Sequence, residues 1–227
     1  SFYLSLRAFA LTRAGREADS QKDIAEMGKV LPTAWPIVMW TTMPLLAGSG
    51  DRAAALRAIG YGLQRKPDDP WLLVAQAQVN MQLADFAQAS GILGNALGGA
   101  KTDNERRVVL YNRGQADFAL GSFQQAAEDF DGALAGLTTV KSRLDTVLWR
   151  YAAQVHTKQD ARAILNKDIG NENLYEWPGP IAKALLGKAA SGEETAEERG
   201  NLLERARAEC SGMLRPIGAL LRLAEIE

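Results

Sequence analysis

A pattern of side-chain size, repeated at nearly constant spacing, limits what this chain can fold into more than any other feature. Residues 121–134 read GSFQQAAEDFDGAL, and residues 84–97 read ADFAQASGILGNAL. Both place an aromatic third, Ala sixth, a large apolar residue tenth and Ala thirteenth. The segment GDRAAALRAIGYGL at 50–63 follows the same scheme with Gly50, Ala55, Ile59 and Gly62, and a weaker copy runs from Gly15 through Ser20, Ile24 and Met27. Aligned on these residues, the units begin at 1, 36, 70 and 107, with spacings of 35, 34 and 37 residues. Periods of this length mark arrays of stacked supersecondary units.

Helix packing explains the pattern. Two helices approach closely only where a small residue sits at the crossing, which accounts for Ala55, Ala89 and Ala126 and for Gly62, Ala96 and Ala133. Ile59, Leu93 and Phe130 stand four places after the first small residue and three before the second, so all three lie on one helical face. Asp85 and Ser122 can cap helix starts, with Gln88 and Gln125 at capping-box spacing. Pro32 and Pro67 follow the second helices and stop them.

These residues resemble the tetratricopeptide repeat, a helix–turn–helix unit of about 34 residues with small residues at places 8, 20 and 27 and Pro near place 32. Ala77 and Gly114 fill place 8 in the third and fourth units. Met43 holds that place in the second unit, where Pro44 is expected to kink the helix or delay its start. The first unit departs in Ser20 and Met27. The resemblance implies an all-α, right-handed superhelix of stacked hairpins. Four repeats cover 1–139 (about 1–35, 36–69, 70–106 and 107–139), and a degenerate fifth repeat with a helical C-terminal segment, packed on the solenoid as a cap, covers 140–227. In that last part, LWRYAA, an A-x-x-x-L helix, a Trp-bearing loop, LLGKAASGE and a final helix near AEC are similar in order to the C-terminal half of the bacterial lipoprotein NlpI and related periplasmic repeat proteins. No lipid-accepting cysteine stands at this N-terminus. Thr195 and Glu198 form a capping box in this region.

Composition narrows function chiefly by exclusion. With 26 basic and 27 acidic residues, the chain has no overall charge to attract nucleic acid or an anionic membrane. The longest apolar stretch, 36–48, is too short to cross a bilayer. Cys210 and His156, each single, can form neither an intrachain disulfide nor a His/Cys metal cluster. As a nucleophile pair they lack any nucleophile turn, so burial of Cys210 and a turn position for His156 are the favoured readings. Glu128 and Asp129 are expected to face solvent on either side of Phe130's packing face, and Glu193, Glu194, Glu197 and Glu198 to suit a helix N-terminus. The glycine-rich LGNALGGA follows no strand and is not a phosphate cradle. The reading is therefore non-catalytic, with no cofactor and no metal.

The resemblance implies that first helices line a concave groove through places 2, 5, 9 and 12. Those places hold Phe2, Ser5 and Phe9; Ile37 and Trp40; Trp71, Val74, Gln78 and Met81; and Val108, Tyr111, Gln115 and Phe118, with Asn112 joining at place 6. Trp40, Trp71, Val74, Gln78, Met81, Tyr111, Asn112, Gln115 and Phe118 are the expected partner-binding set. The cations that some relatives use to clamp a peptide carboxylate are nearly absent. An apolar or helical segment of a partner protein suits such a lining, and so does a helix of the same chain or a second copy in a homo-oligomer. The expected role is a protein-binding scaffold or adaptor, which the lipoprotein-like resemblance would place in bacterial envelope assembly or proteolysis. Starting at Ser1, the chain also reads as a module excised from a larger enzyme or signalling protein, and a bacterial periplasmic or cytoplasmic setting are both open.

Overall fold

The computed structural model describes residues 2–157, 160–170, 174 and 178–186. Among them all regular structure is helical, in eleven elements. These are α1 (Phe2–Arg13), α2 (Glu17–Val30), α3 (Trp35–Gly48), α4 (Arg52–Leu63), α5 (Pro70–Gln82), α6 (Phe86–Gly99), α7 (Asp103–Ala119), α8 (Phe123–Leu134), α9 (Val140–Val155), α10 (Ala161–Ile169) and α11 (Gly179–Leu186). The chain divides into two compact units, Ser1–Ser122 and Phe123–Glu227, parting inside the fourth sequence repeat. The final stretches of the lipoprotein-like resemblance, with Trp177, the Thr195–Glu198 capping box, the acidic run 192–198 and Cys210, lie outside the described residues.

In the first unit α1 pairs with α2, α3 with α4 and α5 with α6, and the first helices also pack on one another: α1 against α3, α3 against α5, α5 against α7. The small residues sit where that stacking needs them. Ala55, Ala89 and Ala96 are wholly buried, as are Ala8 and Ala77 one helix earlier in their hairpins. A Cβ on Gly62 would press to within 3.2 Å of Leu72 and of Trp35. One cluster joins Ile24, Met27, Met39, Met43, Ile59 and Leu72, and a second joins Val74, Leu93 and Val109. Ser20, which breaks the small apolar pattern, is buried with Thr12, their hydroxyl oxygens 2.6 Å apart, so the polar pair satisfies itself.

The turn between the two helices of a hairpin has its own requirement. Gly15, Gly50 and Gly121 all take positive φ, and Ala84, which occupies the equivalent place in the third repeat, is forced to φ 60°. A left-handed residue is easy for glycine and costs alanine about 1 kcal/mol. Helix starts are fixed by side chains: Asp51 accepts from the Ala54 N–H at 3.0 Å, Asp85 from Gln88 at 3.2 Å, and Thr102 and Glu105 form a reciprocal capping box.

Pro44 does not delay the start of its helix. α3 starts at Trp35, with no delay, and runs through Pro44 to Gly48. Proline supplies no N–H to the Trp40 carbonyl. Its own carbonyl instead accepts from Gln82 Nε2 at 2.8 Å, tying α3 to the end of α5.

In the second unit α8 packs on α9, and α9 on α10 and α11. Ala126, Phe130 and Ala133 are buried, and Phe130 stacks on Trp149 with ring centroids 5.7 Å apart. Leu148, Trp149, Ala152, Ala161 and Leu165, expected as the core of a fifth repeat, are all buried. Arg150, nearly buried on α9, is paired with Asp131 of α8 and Asp168 of α10. Asp129 corrects the expectation of an outward carboxylate: only Glu128 is exposed, whereas Asp129 is 2% exposed and accepts from Gln125 Nε2 at 3.4 Å. Four residues on from Gln125, it sits on the flank of the buried face that Ala126 and Phe130 define, so the neighbouring amide solvates it in place of water. His156 ends α9 as an exposed turn residue and stacks on Phe123 at 4.0 Å.

Candidate functional site

The face formed by α3, α5 and α7 carries the residues expected to meet a partner, and the structure sorts them into three kinds. Val74 and Asn112 are interior: Val74 is 1% exposed and Asn112 4%. Asn112 Oδ1 accepts from Gln78 Nε2 at 2.9 Å, while its Nδ2 donates to the Val108 carbonyl at 2.8 Å. This amide pair braces α5 against α7 and leaves Asn112 little capacity for a ligand. Of the further places implied to line the groove, Ser5 and Phe9 are also buried, while Phe2 and Ile37 are exposed.

Trp40 and Met81 are half-buried and structural in part. Both pack on the cluster around Val74 and Leu93, and Trp40 also packs on the larger cluster below α1–α5. Its indole Nε1 is buried without a hydrogen-bond partner, so packing alone orients that ring. Trp71 lies against it with centroids 4.9 Å apart and planes tilted by 50°. Trp71, Tyr111, Gln115 and Phe118 form the third kind, all partly exposed, the last three at spacings of four and three along α7.

Trp71 is positioned by residues that the sequence reading passed over. Asp69 caps α5 and accepts from the backbone N–H of Trp71 at 3.1 Å, with Pro70 at the first helical position. Glu105 accepts from the backbone N–H groups of Lys101 at 2.8 Å and Thr102 at 3.0 Å. Burial would raise the Glu105 pKa, but these donors together outweigh it and hold the carboxyl below its usual value. Asp69 shifts the other way: burial dominates and raises it, Leu72, Lys66 and Trp71 oppose, and the nearby Glu105 charge adds to the rise. Two signals in the sequence mark these residues, the Asp-Pro pair at 69–70 and the T-x-x-E of 102–105.

The charged side chains of the three helices of this face all belong to α7. Neither the 14 residues of α3 nor the 13 of α5 include a charged side chain. No group of three or more His, Cys, Asp or Glu among the described residues is placed to hold a metal ion. No helix among them is long and apolar enough to cross a membrane.

A solved structure aligns with this geometry along nearly its whole length. It is a tetratricopeptide repeat protein from Parabacteroides merdae ATCC 43184, with a TM-score of 0.54 and 16% identity over 98% of each chain. The fold is of the tetratricopeptide repeat type. At that identity the likeness speaks for the fold. No family model matches the chain. No curated protein matches it significantly.

Proposed function

We propose that this tetratricopeptide-type chain is a non-catalytic protein-binding scaffold whose first-helix face takes an uncharged, apolar segment of another protein. One observation carries the reading: α3 and α5 present half-exposed tryptophans on two successive helices that have no charge at all. Against α3 and α5 a partner's charges would have to give up water with no compensating ion on those two helices, at a cost of several kcal/mol each; the charges of the face all lie on α7. A partner anchoring Leu, Met or aromatic side chains between Trp71, Tyr111 and Phe118 loses nothing comparable, and one aromatic anchor can contribute about 2 kcal/mol or more. Buried Val74 and Asn112 then support the face rather than touch the partner.

The organisation we attach to this function is four repeats over 1–139 followed by a fifth, degenerate repeat and a helical segment over 140–227. The similarity of that latter part to periplasmic lipoproteins supports service as an adaptor in bacterial envelope assembly or proteolysis.

Peptide display against the whole chain tests the reading. Selected sequences should be neutral and rich in large apolar residues, and Trp71→Ala combined with Phe118→Ala should weaken their binding at least tenfold with helicity unchanged. Enrichment of charged peptides, or binding indifferent to the double variant, overturns it. Sedimentation of the free protein covers the alternative occupant: a dimer dissociated by the same double variant would mean that a second copy fills the face.

A further inference from the structure

Two amides stand at the same place on successive first helices of the candidate face, Gln78 on α5 and Gln115 on α7, 37 residues apart and both partly exposed. The way Gln78 is held settles which of its ends is spent. Asn112 Nδ2 donates to the Val108 carbonyl at 2.8 Å, and a carbonyl can only accept, so Oδ1 is the end of Asn112 that turns to Gln78. Gln78 has to meet that oxygen with Nε2, which it does at 2.9 Å. Its Oε1 is left without a hydrogen-bond partner among the described residues, and so are both ends of the Gln115 amide. Asn112 is interior and α5 packs on α7, so Gln78 is fixed at its nitrogen while its oxygen stays available.

We propose that these two amides select an extended segment over a helical one, Gln78 Oε1 accepting a main-chain N–H of the bound partner and Gln115 serving a neighbouring main-chain group. This rests on the first-helix face being the binding surface. A segment anchored by apolar side chains on Trp71 and Phe118 brings its backbone against these amides and displaces their water. An extended backbone carries unpaired N–H and C=O groups that need such partners once water is gone. A helix has spent those groups internally and would cover Oε1 with no donor for it, a mismatch of about fivefold or more in affinity for each amide left unpaired. Cationic donors are no substitute, because neither α5 nor α3 carries a carboxylate to offset their loss of water. The main-chain N–H is the neutral donor that an extended segment of any composition other than proline supplies.

The test uses the full chain and the tightest neutral peptide selected by display against it, resynthesised with single changes. N-methylation removes one main-chain N–H at a time. It should weaken binding about threefold to tenfold at a position between the apolar anchors, and the same change should have no effect on binding to Gln78→Met, which keeps the side-chain length and lacks the acceptor. A scan without any sensitive position, or an equal loss in the parent and in Gln78→Met, overturns the inference. The parent chain alone decides the matter if Gln78→Met does not fold. Non-anchor residues of the peptide are then replaced with α-aminoisobutyric acid, which favours helix: an extended peptide should lose at least tenfold, and unchanged or tighter binding means that the segment is helical. Trp71→Ala combined with Phe118→Ala keeps the two readings apart. If that double variant binds the parent peptide undiminished, the face is refuted; if it weakens binding while the helix-favouring peptide gains, the face stands and the extended mode is refuted.

Discussion

Replacing Gly99 with alanine puts the close contact between α6 and the linker ahead of α5 to a sharp test. Gly99 is the last residue of α6, and a Cβ there would overlap the backbone carbonyl oxygen of Asp68, in the linker that leads to Asp69 and Trp71. The carbon of that carbonyl would be 3.5 Å away and the Asp68 Cβ 3.6 Å, so the intrusion is directed at backbone and not at a flexible side-chain tip. Restoring a normal close C···O separation of about 3.3 Å requires the two backbones to part by roughly 1 Å. Overpacking of this kind costs about 1–3 kcal/mol, and a terminal helix position returns only part of the ~1 kcal/mol that alanine gains over glycine. The expected net loss is about 2 kcal/mol, which for a chain of this size lowers the melting temperature by about 4–8 °C. Gly94, in the same helix, is the internal control: it is exposed, and a Cβ on it meets nothing within 4 Å. Gly94→Ala should therefore raise the melting temperature by about 2–4 °C. Thermal unfolding followed by circular dichroism measures both. If Gly99→Ala melts at or above the parent, the α6–linker contact does not constrain the fold as argued.

Four further outcomes are expected. Ala126→Leu should destabilise by at least about 2 kcal/mol, because a wholly buried crossing must open, whereas Gln124→Leu on the exposed side should change little; equal melting temperatures would refute the repeat register. Ala84→Gly should stabilise by about 1 kcal/mol in denaturant melts by relieving the left-handed turn, and a loss would show that the turn is not strained. Arg150→Met leaves Asp131 and Asp168 facing one another without their cation and should cost roughly 1–3 kcal/mol, between the effects of exposed and buried pairs, since Asp131 is half exposed; chemical denaturation reads it. The lowered Glu105 pKa favours the folded state fully above the ordinary glutamate value of 4.5, and that contribution disappears as pH falls through the lower folded value. Asp69, raised by burial, acts in the opposite sense and gains stability on acidification, so Glu105→Gln should flatten or invert the acid loss. An acid limb identical to the parent's would contradict this.

The skeleton of the fold was legible because repeats repeat their sterics. Ala55, Ala89 and Ala126 had to be small for one reason in three places, and each is buried at a helix crossing. Single events were harder to read. Pro44 raised the expectation of a kink or a late start, yet α3 begins at Trp35, and Gln82 reaches across to bond the Pro44 carbonyl. Asp129 looked solvated from its charge, but its place beside Ala126 and Phe130 carries it inward, where Gln125 meets it. On the candidate face, periodicity placed the expected residues on α3, α5 and α7 without separating exposed from interior ones. Val74 and Asn112 share the groove-facing numbering with Trp71 and Phe118, and only the packing of neighbouring helices shows that the first two are interior.

The uncharged character of α3 and α5 has a kinetic consequence. Long-range fields that draw oppositely charged proteins together have no source on these two helices, so any response of the encounter rate to added salt should come from the charges of α7. Discrimination between clients would then be exercised after collision, in how slowly a well-seated segment escapes.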